Sequence, residues 1–427
     1  MMEKLMVLFL FSAALLSCKS NIQNDRKNPH YEIFLIVDPV EKHIEVKGKL
    51  IIPPGTISSD GTTFYLDSSL FIETISCQDV QFKKDTSAIK MGYMPSAVNL
   101  APVKPIRIEN NTIALSFSYK GKLSELPKYF GNIISEDWTE LGLYYPWFPY
   151  SSDISLYTYK VTVQIDKRYN VFGMGKTTFN GTNYIIENQH PTNDIVVCAS
   201  KDVLLSHSTQ GDFTSSIYHH NVPDSVLPKL HHDFNLIYAK LSNLYGEAKN
   251  EITVIISKRE TGGGYARIGG IFLGGFHPGD YFDKEERYYR YFAHEIAHLW
   301  WFKADVNSWE DWLNEGIAEY SALAIIRDLF GEESFHTRLS KKKESCKNSD
   351  PLWEFDRMSK NAYSLLYNKA PLLLFSLEEK IGKSRFNEFL NRFLSDDIHS
   401  TKNFLNILEE HEGQEITDWF INELKTK

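Results

Sequence analysis

The hydrophobic pattern of this 427-residue chain changes period once, and that change limits its architecture more than any other feature. From about His30 to Lys201, apolar residues alternate with polar ones. The runs Tyr31-Glu32-Ile33-Phe34-Leu35-Ile36-Val37 and His43-Ile44-Glu45-Val46-Lys47-Gly48-Lys49-Leu50 show it, as do Thr112 to Tyr119 and Tyr159 to Ile165. A period of two belongs to strands with one buried face, and Pro53-Pro54-Gly55 and Asp60-Gly61 mark turns between such strands. After about Leu205 the spacing becomes helical, with Leu227, Leu230, Phe234, Ile237, Leu241 and Leu244 on one stripe. A strand, Ile252 to Ile256, and a glycine-rich stretch interrupt before helices dominate from Glu285 onward. Gly331, Gly382 and Gly413 each follow a helical run, as C-terminal stops do. The expectation is a multidomain α and β protein. An N-terminal all-β sandwich-like domain spans 30–205, and a mostly helical α/β domain spans 206–427.

Charge narrows the partners. Lys and Arg number 46 against 55 Asp and Glu, a formal net charge of -9, with no basic block. No nucleic acid is expected to bind such a surface. Four cysteines are too few and too scattered for a disulfide framework or a cysteine-held metal. The first of them is placed differently. Met1-Met2-Glu3-Lys4 precedes an apolar run from Leu5 to Leu16, and then comes Leu15-Leu16-Ser17-Cys18. A short charged start, a short apolar core and small residues before a cleavage point describe a secretory signal. The last four residues resemble a bacterial lipoprotein box, which implies lipidation at Cys18. The expectations are a signal peptide over 1–18, a polar tether over 19–29 and a lipid anchor at Cys18. They place the protein in the cell envelope, at a bacterial outer membrane or periplasmic face. Of the remaining three cysteines, at least one must stay free within the chain.

The chemistry sits in His294-Glu295-Ile296-Ala297-His298. Two histidines four apart on a helix differ by about 40° of rotation, so both imidazoles point the same way. They can share one Zn²⁺, with Glu295 placed as a general base. Phe292, Ala293, Ile296, Ala297, Leu299, Trp300 and Trp301 surround them, so the helix is expected to be buried. Two imidazoles and a carboxylate are costly there unless something uses them. A third protein ligand is required.

Downstream lies Leu313-Asn314-Glu315-Gly316. Together the two motifs resemble the aminopeptidase N family of gluzincin zinc metallopeptidases, which includes leukotriene hydrolase. The resemblance implies a thermolysin-like catalytic domain with one Zn²⁺ per chain held by His294, His298 and Glu315. Sixteen residues separate His298 from Glu315, a shorter gap than the family's usual one, so the loop before Trp312 is trimmed. Tyr367-Asn368-Lys369-Ala370, with Tyr363 nearby, resembles the family segment whose tyrosine stabilises the oxyanion, a role that falls to Tyr367. The implied activity is hydrolysis of a peptide or protein substrate. Glu319, one turn after Glu315, could back a zinc-bound histidine or equally be a surface charge.

One departure concerns specificity. The family holds a substrate's free α-amine with a glutamate on the strand before the zinc helix. Here that stretch reads Gly264-Tyr265-Ala266-Arg267-Ile268-Gly269-Gly270, with Arg267 at the glutamate's place. The expectation is a wall built from Gly264, Arg267, Gly269 and Gly270 that disfavours a free ammonium. A plain aminopeptidase using another acid, such as Glu260, is one alternative, and a non-catalytic surface binding protein is another. His219-His220, His231-His232 and Lys341-Lys342-Lys343 are expected to face solvent, and Tyr144 to Pro149 to pack between domains.

Overall fold

A computed structural model describes residues 28–57, 62–85, 94–103, 111–124, 133–248, 251–259, 263–396 and 399–427. Cys18, its preceding apolar run and Glu260 lie outside the described residues. The alternating runs become strands. His30–Asp38 lies between Tyr157–Gln164, parallel to it, and His43–Ile52, antiparallel to it. Ile113–Lys122 continues the order beyond His43–Ile52 in a ten-stranded sheet. A four-stranded sheet contains Thr139–Leu141, Asn170–Gly173 and Val197–Ser200. Leu35, Val46, Leu115 and Val161 of the large sheet share one core with Leu141, Val171, Val197 and Ala199 of the small one. The two sheets therefore pack as a sandwich, each burying the apolar face that its period of two creates.

A third, five-stranded sheet begins at Leu204–Gln210 and runs through Phe213–His219, Glu251–Ile256 and Gly270–Leu273 to the edge strand Tyr265–Arg267. That edge is antiparallel to Gly270–Leu273, whereas the two pairings before it are parallel. Helices pack against this sheet. Helix α1 (Leu227–Tyr245) buries Leu230, Phe234, Ile237 and Leu241 of its stripe, with Leu227 and Leu244 half-buried at its ends. Helix α2 (Glu285–Ala297) and helix α3 (Trp312–Ser345) lie in the centre of the same core. Gly331 has φ 87° and bends α3 into two helical parts. Gly382 and Gly413 adopt the same left-handed φ, 87° and 88°, between successive C-terminal helices. No helix among the described residues is long and apolar enough to cross a membrane.

The domains meet through a shared apolar cluster. Trp138, Phe172, Met174, Val196 and Cys198 of the sandwich pack on Ile255, Tyr265 and Phe272 of the third sheet. Within Tyr144 to Pro149, Trp147 and Phe148 belong to the sandwich core instead, while Tyr144 reaches the cavity described below. The histidine pairs split. His219 and His231 are buried and His232 is exposed. Both ring nitrogens of His231 lie within hydrogen-bond distance of serine hydroxyls, Ser206 at 2.8 Å and Ser215 at 2.6 Å. His231 is thus a satisfied core residue, on the buried stripe of α1. Cys77, Cys198 and Cys346 are all free thiols.

Candidate metal centre

The last turn of α2 carries His294 and Glu295, and His298 caps its C-terminal end. Phe292, Ala293, Ile296 and Ala297 are fully buried, which fixes the helix's rotation. Glu315 sits in the first turn of α3, beside the apolar Leu313, Ile317 and Ala318 of the same core. The trimmed loop between the helices is clamped by Asn314. Its Oδ1 accepts from the amide of Ala304, and its Nδ2 donates to the carbonyl of Ala304, both at 3.0 Å. A shortened connection therefore still delivers Glu315 to α2. Sequence spacing alone did not single out Asn314 for this task.

His294, His298 and Glu315 converge, with one donor atom from each lying within 4.8 Å of the others. Glu315 Oε2 is 3.2 Å from His294 Nε2 and 3.6 Å from His298 Nε2. The other ring nitrogens face acceptors. His298 Nδ1 is 2.8 Å from the carbonyl of Trp301. His294 Nδ1 is 3.1 Å from Glu319 Oε2, close in distance though poorly aligned for a straight hydrogen bond. With the proton of each ring on Nδ1, both Nε2 lone pairs would face a common cation beside Glu315. Two imidazoles and one carboxylate, with room for an outside ligand, form the donor set of a catalytic zinc site, so the residues fit the ion.

Glu319 is fully buried, not a surface charge. Its carboxylate receives Arg290 Nη1 at 2.6 and 2.8 Å and pairs with Lys342 Nζ at 2.6 Å. Burial opposes its ionisation, but Arg290 and Lys342 outweigh it and hold the carboxyl far below the usual range. Glu295, 5% exposed, is raised by burial, against the pull of His294 and His298. A raised carboxyl is a better proton acceptor. Tyr367 lies in a π-helical turn, Leu365–Lys369, with its ring 5.5 Å from that of His294. Burial, with the charge of Glu315 beside it, keeps its phenol protonated far above the ordinary range. A protonated phenol can donate a hydrogen bond.

His294, Glu295, His298, Glu315 and Tyr367 line a cavity of about 220 Å³. Gly264, Tyr265, Ala266, Arg267 and Ile268 of the edge-strand region form one wall. Gly264 permits the closest approach. A Cβ there would lie 2.7 Å from Glu295 Oε1 and 2.6 Å from the Tyr291 hydroxyl. Gly269 and Gly270 are not part of this wall. Gly269 turns the chain at φ 93°, and Gly270 is buried against Met174. Arg267 reaches the cavity but is not a lone cation. Its Nε is 2.6 Å from Asp194 Oδ2, its Nη1 donates to the carbonyl of Ala266, and its guanidinium lies over Tyr144 and Tyr265. Asp311 also lines the site. Burial and the nearby Glu315 push its carboxyl above the usual range, although Arg357 donates to it at 2.9 Å.

The fold and the donor set define a centre of two histidines and one glutamate that fits a single zinc ion. Residues 281–423 match the Peptidase family M1 domain, and over that stretch the resemblance to the aminopeptidase N family holds. The M1 zinc metallopeptidase of Deinococcus radiodurans superposes with a TM-score of 0.72 at 16% identity, covering 94% of this chain and 95% of that one. Native leukotriene A4 hydrolase from Saccharomyces cerevisiae gives 0.67 at 18% identity, covering 92% of this chain and 67% of its own. Leucine aminopeptidase 2 of Neosartorya fischeri is 31% identical over 118 residues, which are 24% of this chain and 19% of that protein. The chain thus matches only about a fifth of that curated relative's length.

Proposed function

We propose that the protein hydrolyses peptide bonds with one zinc ion held by His294, His298 and Glu315. The observation that carries this reading is the convergence of these three donors beside Glu295 and Tyr367 in one cavity. Bound there, zinc supplies Lewis acidity that acidifies a water and polarises the scissile carbonyl. Glu295 takes the proton of the attacking water as its oxygen bonds to the carbonyl carbon. Tyr367 donates a hydrogen bond to the carbonyl oxygen as it gains negative charge. Glu295 then delivers the proton to the amine nitrogen as the C–N bond breaks. A binding protein without turnover would need neither Glu295 nor Tyr367 in these places.

Specificity on the edge-strand side follows from the Arg267–Asp194 pair. A bare guanidinium about 4 Å from an ammonium would repel it by about 4 kcal/mol at an effective dielectric of 20. Asp194 cancels most of that field, so the wall is close to neutral. It neither recruits nor strongly rejects a free N-terminus, and N-blocked peptides are accepted. The second reading, an ordinary aminopeptidase, draws on the similarity to Leucine aminopeptidase 2 and on the Deinococcus radiodurans relative, a mutant of which was crystallised bound to Tyr-ser-ala substrate. A matched pair of fluorogenic peptides, N-acetylated and free, decides between them by kcat/KM in the presence of zinc. Rates within about tenfold of one another fit the neutral wall. A preference for the free amine of about a hundredfold or more would establish the aminopeptidase reading. Zinc binding with no hydrolysis of either would leave a binding protein.

We also propose that the chain is secreted and lipid-anchored through Cys18, supported by Leu15-Leu16-Ser17-Cys18 after the apolar run. Metabolic labelling with a fatty acid checks it. Wild type should take up label and Cys18→Ala should not.

A further inference from the structure

Lys342 belongs to a run of three lysines, of which Lys341 and Lys343 are exposed. Its own side chain is only 11% exposed. The bend at Gly331 brings the second part of α3 back toward the site, and Lys342 points inward from it. Its ammonium makes two contacts. One is to Glu319 Oε1 at 2.6 Å, on the carboxylate whose other oxygen faces His294. The other is a hydrogen bond to the backbone carbonyl of Tyr367 at 2.7 Å. An ammonium has three donors in a compact head, so one lysine can hold two acceptors from separate elements.

We propose that Lys342 is a positioning residue, tying the carboxylate behind His294 to the main chain of Tyr367 so that the tyrosine hydroxyl stays in register with the metal centre. The proposal rests on the peptidase reading above for its catalytic consequence. Tyr367 stands on a π-helical turn, a local interruption of the α-helical backbone pattern. Its neighbour Tyr363 stacks on it at 4.6 Å but is 70% exposed. Lys342 supplies a buried polar tie to this turn. Its removal does not strip Glu319 of charge partners, because Arg290 still grips both carboxylate oxygens. The expected effect therefore falls on Tyr367 and spares the zinc.

The test uses the zinc-loaded full chain with Lys342→Met, Lys342→Arg, Tyr367→Phe and the double variant K342M/Y367F. K342M should lower kcat about tenfold, with KM within about twofold and zinc affinity, read by chelator competition, within about threefold. K342R should recover part of the loss. In the Tyr367→Phe background, K342M should cost less than about twofold more, since the hydroxyl it positions is gone. Hydrogen exchange across residues 362–371 should quicken in K342M, while 285–298 stays as in wild type. Should K342M not fold, Lys342→Gln carries the same comparison. Wild-type kcat and exchange in the variant would overturn the proposal. So would a full additive loss in the double variant, or a zinc loss large enough to explain the activity. A wild-type chain without peptidase activity would instead overturn the peptidase reading, and the exchange measurement would still decide whether Lys342 holds the turn.

Discussion

In the proposed peptidase, four residues at the centre have separable tasks, and substitution should separate them. His298→Ala removes one of three ligands and should lose most of the zinc, read by metal analysis of purified protein. Glu295→Gln keeps the ligand set and should keep zinc and fold, yet lose about two or more decades of kcat. Tyr367→Phe should lower kcat more than it raises KM, because its contact forms in the transition state. Glu319→Gln should weaken zinc binding about tenfold, since a neutral amide backs His294 less well than a carboxylate. Unchanged zinc affinity in that variant would leave Glu319 with a purely structural task. Much of this was legible in the sequence because it is local. Two histidines one turn apart and a glutamate beside the first need only a helix to meet. The pairing of Arg267 was not legible. Its partner, Asp194, is 73 residues away and on another domain, and no periodicity links them.

At the scale of elements, two glycines allow the close approaches that build the site. Gly264 lets the edge strand lie against Glu295. Gly264→Ala should push the carboxylate from its place and lower kcat by about tenfold or more, with zinc retained. Gly316 does the same between helices. A Cβ there would stand 2.6 Å from the Cβ of Ala370, at the start of the helix that follows Tyr367. Gly316→Ala should therefore separate Glu315 from Tyr367 and cost about 1–3 kcal/mol of stability, read by denaturant unfolding. The elements themselves were largely visible as hydrophobic period. The run from Leu227 to Leu244 is helix α1, and the alternating runs are strands. Less visible was which side a polar residue takes. Lys342 turns inward because α3 bends at Gly331, and a bend changes which face of a helix is buried. His231 turns inward because Ser206 and Ser215 on two strands meet both of its nitrogens.

At the scale of the whole molecule, the sandwich holds one wall of the site in place. Glu140, on the strand Thr139–Leu141, is buried where the domains meet. It accepts from Trp138 Nε1 at 2.9 Å, from the Ser257 hydroxyl at 2.6 Å and from the Tyr265 hydroxyl at 2.9 Å, and lies 3.2 Å from Arg259 Nε. Tyr265 belongs to the edge strand, and Arg259 reaches the carbonyl of Gly263 just before it. Asp194, from the sandwich, holds Arg267 at the strand's other end. The edge strand is thus fixed at both ends by carboxylates of the other domain. Removing one carboxylate leaves a buried cation without its partner, which costs far more than the pair contributes. Glu140→Ala should destabilise the protein by about 3–5 kcal/mol, with Arg259 left without its charge partner and the Tyr265 hydroxyl without its acceptor. The zinc ligands are carried by α2 and α3 and not by the edge strand, so metal affinity should change little while KM rises as the wall loosens. Urea unfolding, chelator competition and steady-state kinetics on one preparation read all three. A variant as stable as wild type, with unchanged KM, would mean that the catalytic domain builds its wall without the sandwich.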